Sequence, residues 1–374
     1  MWFRGCLSFL LVGGAISAPA LLNVNVVFRH GDRTPITTVR TDPYQEGFWG
    51  VPWGTLTTTG MEQQYANGLR LKKRYIDDHK LVNATYSPYE IYVQSAQIDR
   101  CLQSAASNLA GFYDQSTFHP TDPKWPNNYT PIPIHQNPSP DRWYEPGSGC
   151  QKASDLEVER TINLNLIEYE GTHWEMIFAF AKNTGLDITH IKDTFDYFDT
   201  IVCEKDHNLT LPAWITPSLY REAEDVKSQT MDYFFGLGGF GVPDNEDLLG
   251  LRGGPALSLI QSTWTEKAPF KYYVHSAHDT TIVAILYTLG TNAKYVALGK
   301  NQPNYAATLL FETWKMDDGS LAIKVLYSDS AYEDFHVITN SISGCPFDDY
   351  CPVDKFISRN KPYIWDDMEK ACKA

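Results

Sequence analysis

Residues 24–35, VNVVFRHGDRTP, set the fold of this chain. The first five are mostly β-branched or aromatic and partly alternate with a polar residue, which is typical of a β-strand. Arg29 and Arg33 then flank His30, and a glycine and a proline hold the turn. Arginine forks match the oxygens of phosphate and carboxylate groups. The stretch therefore predicts a strand that ends in an anion-binding turn.

A second strand is predicted at 89–93. It leads through a short loop into a helix predicted over 99–113, and Arg100 lies at the start of that helix. In open α/β sheets, ligands bind beyond the carboxyl ends of the strands. We therefore expect Arg100 to lie near the anion-binding turn.

A third strand is predicted at 272–277, and His278 and Asp279 follow it directly. The two threonines after them are suited to cap a helix predicted over 282–289. Because these two polar residues also leave the carboxyl end of a strand, we expect them to join the same site.

These side chains fit the needs of phosphoryl transfer, which depends on positioning and on stabilising charge. We expect His30 to attack phosphorus and form a phosphohistidine. We expect Asp279 to protonate the leaving oxygen and then to activate water. The side chains expected to bind the phosphate group are Arg29, Arg33, Arg100 and His278. An aspartic acid, with a reference pKa of about 4, predicts an acidic pH optimum.

The alternation of strands and helices predicts an α/β fold. Alternating runs at 307–314 and 321–327 predict a hairpin, whereas the region from 152 to 235 has helical periodicity. We expect an α/β catalytic domain built from 21–136 and 253–374, with a smaller helical cap domain, 137–252, inserted into it.

The beginning of the chain is typical of a secretory signal peptide, predicted over residues 1–20. Arg4 precedes the short apolar run 7–12, and small residues follow. No other run approaches the length of a membrane helix, so we expect no membrane anchor and a location outside the cell or in the lysosomal lumen. The net charge of −14 argues against a nucleic-acid partner, because binding to the phosphate backbone needs a basic surface.

Six of the seven cysteines lie beyond the predicted signal peptide, and an even number in an exported chain indicates disulfides. Cys345 and Cys351 are close enough in sequence to close a local loop. Three Asn-x-Thr sequences predict N-glycosylation, at Asn83, Asn128 and Asn208.

The stretch 29–35 together with His278-Asp279 resembles the histidine acid phosphatases, a branch of the fold shared with phosphoglycerate mutases. The resemblance continues over nearly the whole chain after the signal peptide, through 59–63, 99–100, 129–135, 207–214 and 344–346. It is closest to the animal prostatic and lysosomal type.

The resemblance implies a doubly wound mixed sheet flanked by helices, with a helical cap. It implies the same roles for the residues named above, a phosphate monoester as substrate, no cofactor or metal, and often a homodimer. It also implies two disulfides, Cys150–Cys372 and Cys345–Cys351. Cys203 fits a family position, but no cysteine lies near 306–307, where its usual partner would be, so elimination leaves Cys101 to pair with it.

Other phosphatase chemistries do not fit the sequence. No cysteine is followed six residues later by arginine, and no Asp-x-Asp pair or histidine-rich carboxylate cluster suggests an aspartyl-phosphate or two-metal site. The alternative is a catalytically inactive, exported glycoprotein that only binds a ligand on the same fold. The complete set of functional side chains favours the enzyme.

Overall fold

A computed structural model describes residues 18–126, 129–299 and 302–373. Most of the predicted signal peptide, residues 1–17, lies outside the described residues. The strands are β1 Ala20–Arg29, β2 Ile91–Ser95, β3 His135–Gln136, β4 Tyr272–Ala277, β5 Thr308–Lys315, β6 Leu321–Ser328, β7 His336–Val337 and β8 Cys351–Pro352.

The α-helices are α1 Glu46–Trp49, α2 Thr58–Lys72, α3 Asp99–Phe112, α4 Gln151–Thr161, α5 Leu164–Thr172, α6 Trp174–Thr184, α7 Phe195–Asp206, α8 Pro217–Phe235, α9 Glu246–Gln261, α10 Asp279–Leu289, α11 Thr291–Leu298, α12 Val353–Asn360 and α13 Met368–Ala371. A π-helical turn, Lys73–Asp78, continues α2. Short 3₁₀ turns lie at Ile191–Thr194, Thr339–Ser341 and Lys361–Tyr363.

The strands form one mixed sheet in the order β3-β2-β4-β1-β5-β6-β7, with β8 paired to β6. The pairs β3–β2, β2–β4 and β4–β1 are parallel, whereas β1–β5 and the predicted hairpin β5–β6 are antiparallel. Because β1, β2 and β4 are adjacent and parallel, their carboxyl ends meet at one edge of the sheet. The predicted α/β fold with a mixed sheet flanked by helices is confirmed.

Helices cover both faces of the sheet, so the central strands are buried on both sides, as parallel strands require. On one face, β1 contributes Val24, Val26 and Phe28 to a core shared with α2 and α3. On the other face, Val27 packs in a core with residues of α9, α10 and α11, among others. The β1 strand therefore lies at the centre of the molecule and carries residue 30 to the sheet edge.

The chain between β3 and β4 is described throughout and contains helices α4 to α9 but no β-strand. Helices α6, α7 and α8 share a separate apolar core, in which Phe180 and Ile201 are fully buried. Val39, from the loop that follows the motif at 29–35, packs into the same core. The sequence did not predict α7 as a helix of its own. Among the described residues, no helix is both long and apolar enough to cross a membrane.

The last of the three key strands leads into its helix earlier than predicted. The sequence placed the start of that helix at residue 282, but α10 begins at Asp279, with His278 as its N-cap. The His278 backbone N–H donates to the Thr281 hydroxyl at 3.2 Å. A side chain at the first helical position lies close to free backbone N–H groups, so Asp279 is placed where a helix favours negative charge.

Both disulfides implied by the resemblance are formed, Cys150–Cys372 and Cys345–Cys351. The predicted Cys101–Cys203 pairing is wrong, because both thiols are free and buried in different surroundings. The Cys101 sulfur lies 3.5 Å from the Ala277 carbonyl oxygen, beside β4, whereas the Cys203 sulfur donates to the Arg33 carbonyl oxygen at 3.0 Å. Pairing the two remaining cysteines because the total is even gave the wrong result, since a buried free cysteine can pack as a small apolar residue.

Candidate active site

The carboxyl ends of β1, β2 and β4 open into a cavity of about 1080 Å³. All six side chains predicted to act on phosphate line it: Arg29, His30, Arg33, Arg100, His278 and Asp279. We call this set the arginine cup. These residues are far apart in sequence. They lie close together in the fold because β1, β2 and β4 are adjacent parallel strands whose carboxyl ends meet at one edge of the sheet.

The imidazole of His30 is buried and held in one tautomer. Its Nδ1 lies 2.8 Å from the Gly31 carbonyl oxygen. A carbonyl only accepts hydrogen bonds, so Nδ1 must carry the proton, and in the neutral ring Nε2 keeps its lone pair. Burial first, and then the neighbouring Arg29 guanidinium, hold the pKa of His30 well below its ordinary value of 6.5. The ring is therefore neutral in mild acid and presents an unprotonated nitrogen.

Arg29 is fixed by contacts on several sides. Its Nη1 donates to the Pro303 carbonyl oxygen at 2.7 Å, and its Nη2 lies 3.0 Å from a carboxylate oxygen of Asp279. The guanidinium also stacks over the Tyr305 ring, 4.2 Å from its centroid, a cation–π contact. These contacts orient the arginine before any ligand arrives.

Asp279 is ionised in this arrangement. Burial alone would raise its pKa, but the positive charge of Arg29 and a 2.7 Å hydrogen bond from the Thr280 backbone N–H act in the opposite direction. The result is a pKa of about 2, below the ordinary value of 3.8. In the free protein Asp279 is thus a carboxylate at any mildly acidic pH, and it can donate a proton only after its surroundings change.

Arg33 forms an ion pair that the sequence did not predict. Its Nη2 lies 2.8 and 3.1 Å from the two carboxylate oxygens of Asp199, in α7. Burial would lower the pKa of Arg33, but the Asp199 carboxylate outweighs that effect and raises the pKa. The carboxylate of Asp199 itself lines the cavity. One arm of the cup is therefore held by the helical region, 166 residues away in sequence.

Each cup arginine keeps one buried donor. The Nε atoms of Arg29, Arg33 and Arg100 are buried and have no hydrogen-bond partner among the residues that the structure describes. A buried donor without a partner costs free energy. The three arginines line the cavity, so a ligand with acceptor oxygens bound there would meet their guanidinium groups.

His278 completes the cup from the start of α10. Its ring packs edge-on against His30, with 5.6 Å between the centroids, and both of its ring nitrogens lie 3.8 Å from the Cys101 sulfur. Burial first, and then the charge of Arg100, lower the pKa of His278 to about 4. The ring is neutral above that pH and can donate one hydrogen bond to a ligand.

Helix α7 contacts the motif at 29–35 through one stripe of side chains. Asp199 binds Arg33, Cys203 donates to the Arg33 carbonyl oxygen, and His207, just after the helix, lies 3.1 Å from an Asp32 carboxylate oxygen. The three residues follow one another at intervals of four, which places Asp199, Cys203 and the C-cap His207 on one face of the helix. Hydrogen bonds to Asp32 and Cys203 raise the pKa of His207 to about 11, so His207 is positively charged throughout the acidic range.

The wider cavity has a mixed wall contributed by α4, α7, α8 and the strand exits. Apolar side chains such as Ile98 and Phe198 line it together with carboxylates such as Asp196 and Glu224. Lys192 also lies on the wall.

His275 is not part of the cup. It is buried in β4, where it hydrogen-bonds to Asn25 at 3.0 Å and to the Tyr144 hydroxyl at 2.7 Å, and burial lowers its pKa to about 3. It is therefore a packed residue of the strand and has no place in the cup.

Two of the three predicted glycosylation sites are described. Asn83 and Asn208 are exposed, and Asn128 lies outside the described residues. The Asn83 amide donates to Glu90 at 3.0 Å, and Asn208 has a positive φ of 56° just after α7. Glycosylation at all three stays a prediction.

Sequence reasoning missed Asp199, His207 and Tyr305 as neighbours of the motif. The spacing of Asp199, Cys203 and His207 does fit one face of a helix. Nothing in the sequence shows which way that face points, because the contact depends on how two distant segments pack. Tyr305 carries no sequence signal of its own.

The chain matches known proteins over most of its length. The sequence profile of the histidine phosphatase superfamily (branch 2) matches residues 20–328. The chain is 32% identical to lysosomal acid phosphatase of Rattus norvegicus, over 97% of this chain and 83% of that protein. It is 29% identical to prostatic acid phosphatase of Homo sapiens, over 98% of this chain and 91% of that protein.

Solved structures share the fold at much lower identity. The phytase from Citrobacter braakii matches with a TM-score of 0.67 and 15% identity, covering 95% of this chain and 99% of that chain. A Hafnia alvei phytase in complex with myo-inositol hexakis sulphate matches with a TM-score of 0.67 and 14% identity, with the same two coverages. At these identities the likeness shows the fold alone.

Proposed function

The chain belongs to branch 2 of the histidine phosphatase superfamily and is an acid phosphatase, and we propose that it hydrolyses phosphate monoesters through a phosphohistidine on His30. The observation that carries this proposal is the hydrogen bond from His30 Nδ1 to the Gly31 carbonyl oxygen, which leaves Nε2 as a buried, unprotonated nucleophile. Three arginines around it supply the donors for phosphoryl oxygens.

In the first step, His30 Nε2 attacks phosphorus and the bond from phosphorus to the ester oxygen breaks. Charge accumulates on the phosphoryl oxygens, which the N–H groups of Arg29, Arg33 and Arg100 stabilise. The leaving oxygen takes a proton from Asp279, and the alcohol departs. The products of this step are the alcohol and a phosphohistidine.

In the second step, water attacks the phosphohistidine and gives its proton to Asp279. The bond from phosphorus to nitrogen breaks, inorganic phosphate is released, and His30 returns to its neutral form. No metal is proposed, because the arginines supply the positive charge that a metal ion provides in other phosphatases.

Asp279 needs a proton that it lacks in the free protein. A phosphate ester that binds as the monoanion brings the proton with it. An ester that binds as the dianion competes with Asp279 for Arg29, which raises the pKa of Asp279 so that the carboxylate takes up a proton from solvent. In both cases the complex holds one proton shared by the ester and Asp279. This requirement fits an acidic optimum, because a phosphate ester loses its second proton at a pH of about 6.

The remaining sequence predictions belong with this proposal. The helical region 137–252 would act as a cap, since its residues line the same cavity as the cup. We also propose that the chain is exported, glycosylated and able to form a homodimer. Export would place the enzyme outside the cell or in the lysosomal lumen. Relatives named lysosomal acid phosphatase support this location.

The test is hydrolysis of an aryl phosphate at mildly acidic pH, with a chelator present. We expect turnover that the chelator does not change, and trapping of labelled phosphate on the protein in acid. His30→Ala should abolish both, whereas His336→Ala, at an exposed position on β7, should abolish neither.

Three outcomes would contradict the proposal. No turnover by folded wild-type protein would contradict hydrolysis. Turnover lost with the chelator would contradict the metal-free mechanism. A covalent label that survives in His30→Ala would place the nucleophile elsewhere.

A further inference from the structure

We infer that Asp199 is a positioning and specificity residue, which holds Arg33 and selects singly charged over doubly charged phosphate groups. The inference rests on the proposed function only in taking the arginine cup as the phosphate site. Asp199 lies in α7, outside the motif at 29–35.

The first argument is geometric. Both carboxylate oxygens of Asp199 contact the same nitrogen, Nη2 of Arg33. The Nη1 of Arg33 lies 3.3 Å from the Thr34 carbonyl oxygen, and its Nε has no partner among the described residues. Asp199 therefore holds one end of the guanidinium at the wall of the cavity, and the remaining N–H groups of Arg33 are not taken up by Asp199.

The second argument is that α7 is anchored to the motif at two more points. Cys203 donates to the Arg33 backbone, and His207 pairs with Asp32. Because the three contacts follow one face of one helix, Asp199 cannot easily swing away from Arg33 when a ligand arrives. Its carboxylate stays beside the phosphate site during binding.

The third argument is the charge of the site. The cup contains three cations, Arg29, Arg33 and Arg100, and two carboxylates are ion-paired with two of them, Asp279 with Arg29 and Asp199 with Arg33. His30 and His278 are neutral in mild acid. Three positive and two negative charges leave one net positive charge, which matches a phosphate monoanion.

The other titratable groups near the pair lie around these five charges. Beyond the cup itself, Arg33 and Asp199 are faced by Tyr305, by the Cys203 thiol and by the His207–Asp32 ion pair. Asp206, at the end of α7, also lines the cavity and interacts with Arg29; burial raises its pKa, and where it is ionised it opposes a second negative charge on the ligand in the same sense as Asp199. Burial raises the pKa of Cys203 and raises that of Tyr305 above its ordinary value, so both are neutral. The His207–Asp32 pair has no net charge.

A doubly charged phosphate would thus bring one negative charge more than the cup can match, close to the Asp199 carboxylate. Removal of the charge at Asp199 gives the cup a second net positive charge. The preference should then move toward the dianion, although Arg33 would be held less firmly.

The experiment is calorimetric titration of inorganic phosphate into the folded full chain, at about pH 5 and about pH 8, on either side of its second ionisation. Wild-type protein should bind phosphate more weakly at the higher pH. Asp199→Asn should bind it about tenfold more tightly than wild type at the higher pH, equivalent to about 1.4 kcal/mol, and with little change at the lower pH.

Asp196→Asn is the matched control. Asp196 lies three residues earlier on α7, lines the same cavity and is exposed, and no ion pair between it and an arginine of the cup is found in the described residues. Its substitution removes the same charge from the same wall, and should change phosphate affinity by less than about twofold at either pH, because solvent screens an exposed charge.

Two results would overturn the inference. Equal weakening in Asp199→Asn at both pH values would make Asp199 a support for Arg33 without a role in selection. The same change in Asp196→Asn would assign the effect to the general field of the cavity. If Asp199→Asn does not fold by circular dichroism, Asp199→Ser allows the same comparison. Asp199→Glu, which keeps the charge, must retain the wild-type pH dependence.

The readout does not require turnover. A protein that binds phosphate as expected but does not hydrolyse an aryl phosphate would contradict the proposed function and leave this inference standing. A protein that hydrolyses an aryl phosphate, but whose phosphate affinity has the same pH dependence in wild type and Asp199→Asn, would contradict this inference and leave the proposed function standing.

Discussion

The Nη2 atom of Arg29 lies 3.0 Å from the Oδ2 atom of Asp279, so the proposed proton donor is paired with an arginine that is itself proposed to bind phosphate. In the free protein this pairing keeps Asp279 ionised, with a pKa of about 2. A ligand that draws Arg29 toward its own oxygens weakens the pairing, and the pKa of Asp279 then rises. Ligand binding and protonation of the acid are therefore coupled.

Binding of a permanent dianion should make this coupling visible. Sulfate stays doubly charged in mild acid, so a cup with one net positive charge should take up about one proton per sulfate bound at about pH 5. Calorimetry in two buffers of different ionisation enthalpy measures that uptake. Asp279→Asn should bind sulfate with almost no proton uptake, and an unchanged uptake in that variant would place the proton on another group.

Replacement of Asp279 should also affect substrates unequally. Asp279→Asn should slow hydrolysis of alkyl phosphates by about a hundredfold or more, the usual contribution of a general acid. Aryl phosphates with acidic phenols need little help in leaving and should slow only a few-fold. Comparison of kcat across a series of leaving groups measures the difference, and equal slowing for all substrates would contradict the role of Asp279 as acid.

The cup could be predicted from the sequence because each of its members leaves the carboxyl end of a strand. Arg29 ends β1 and is followed by His30 and Arg33, Arg100 lies beyond β2, and His278 and Asp279 follow β4. Strand periodicity is local, and the rule that ligands lie beyond strand ends in α/β sheets supplies the convergence. The positions of the predicted strands were therefore enough to predict both the α/β fold and the residues of the cup.

The partners of the cup could not be predicted in this way. Asp199 reaches Arg33 only because the helical region packs over the sheet edge, and no local pattern encodes that packing. The pairing of Cys101 with Cys203 failed for the same reason, because cysteine counting says nothing about distance. Contacts between distant segments depend on tertiary packing, which sequence periodicity does not report.

A buried pair of carboxyl groups, Glu204 and Asp42, should make the free energy of unfolding depend on pH. Glu204 in α7 is fully buried, and neither of its carboxyl oxygens has a donor among the described residues. Burial first, and then the nearby Asp42 carboxyl, raise the pKa of Glu204 from 4.5 to about 8. Asp42 already accepts hydrogen bonds from the Tyr197 hydroxyl and from the Tyr44 backbone N–H.

The direction of the effect follows from this raised pKa. Below pH 4.5 Glu204 is protonated in both the folded and the unfolded chain, so its contribution to stability is fully present. Above that pH only the unfolded chain loses the proton, and the free energy of unfolding falls by up to about 1.4 kcal/mol per pH unit until the pH reaches the folded value. Thermal unfolding midpoints measured over this range should decline accordingly.

Glu204→Gln removes the titrating carboxyl group, and the amide N–H of glutamine replaces the O–H of the protonated glutamate as a hydrogen-bond donor. Its unfolding midpoint should decline less steeply with pH than that of wild type, so the variant should gain relative stability near neutral pH. Glu168→Gln, at an exposed position on α5, should follow the wild-type curve. Parallel curves for wild type and Glu204→Gln would contradict a protonated Glu204 in the folded protein.

The two disulfides should contribute very differently to stability. Cys150 and Cys372 are 222 residues apart and join the start of α4 to the end of α13, whereas Cys345 and Cys351 are only 6 residues apart. In the chain-entropy account a disulfide stabilises by restricting the unfolded chain, and the restriction grows with the length of the closed loop. This account gives about 5 kcal/mol for the long loop and about 2 kcal/mol for the short one.

The double variants Cys150→Ala/Cys372→Ala and Cys345→Ala/Cys351→Ala test this difference by denaturant unfolding at acidic pH. Each variant loses two cysteines and one disulfide. The main difference between the two variants is therefore the length of the loop that the missing disulfide closed. The first variant should lose much more free energy of unfolding than the second. Equal losses would mean that packing around the disulfides in the folded state, such as the apolar cluster of Cys150, Leu248 and Cys372, sets their contribution instead of the length of the loop.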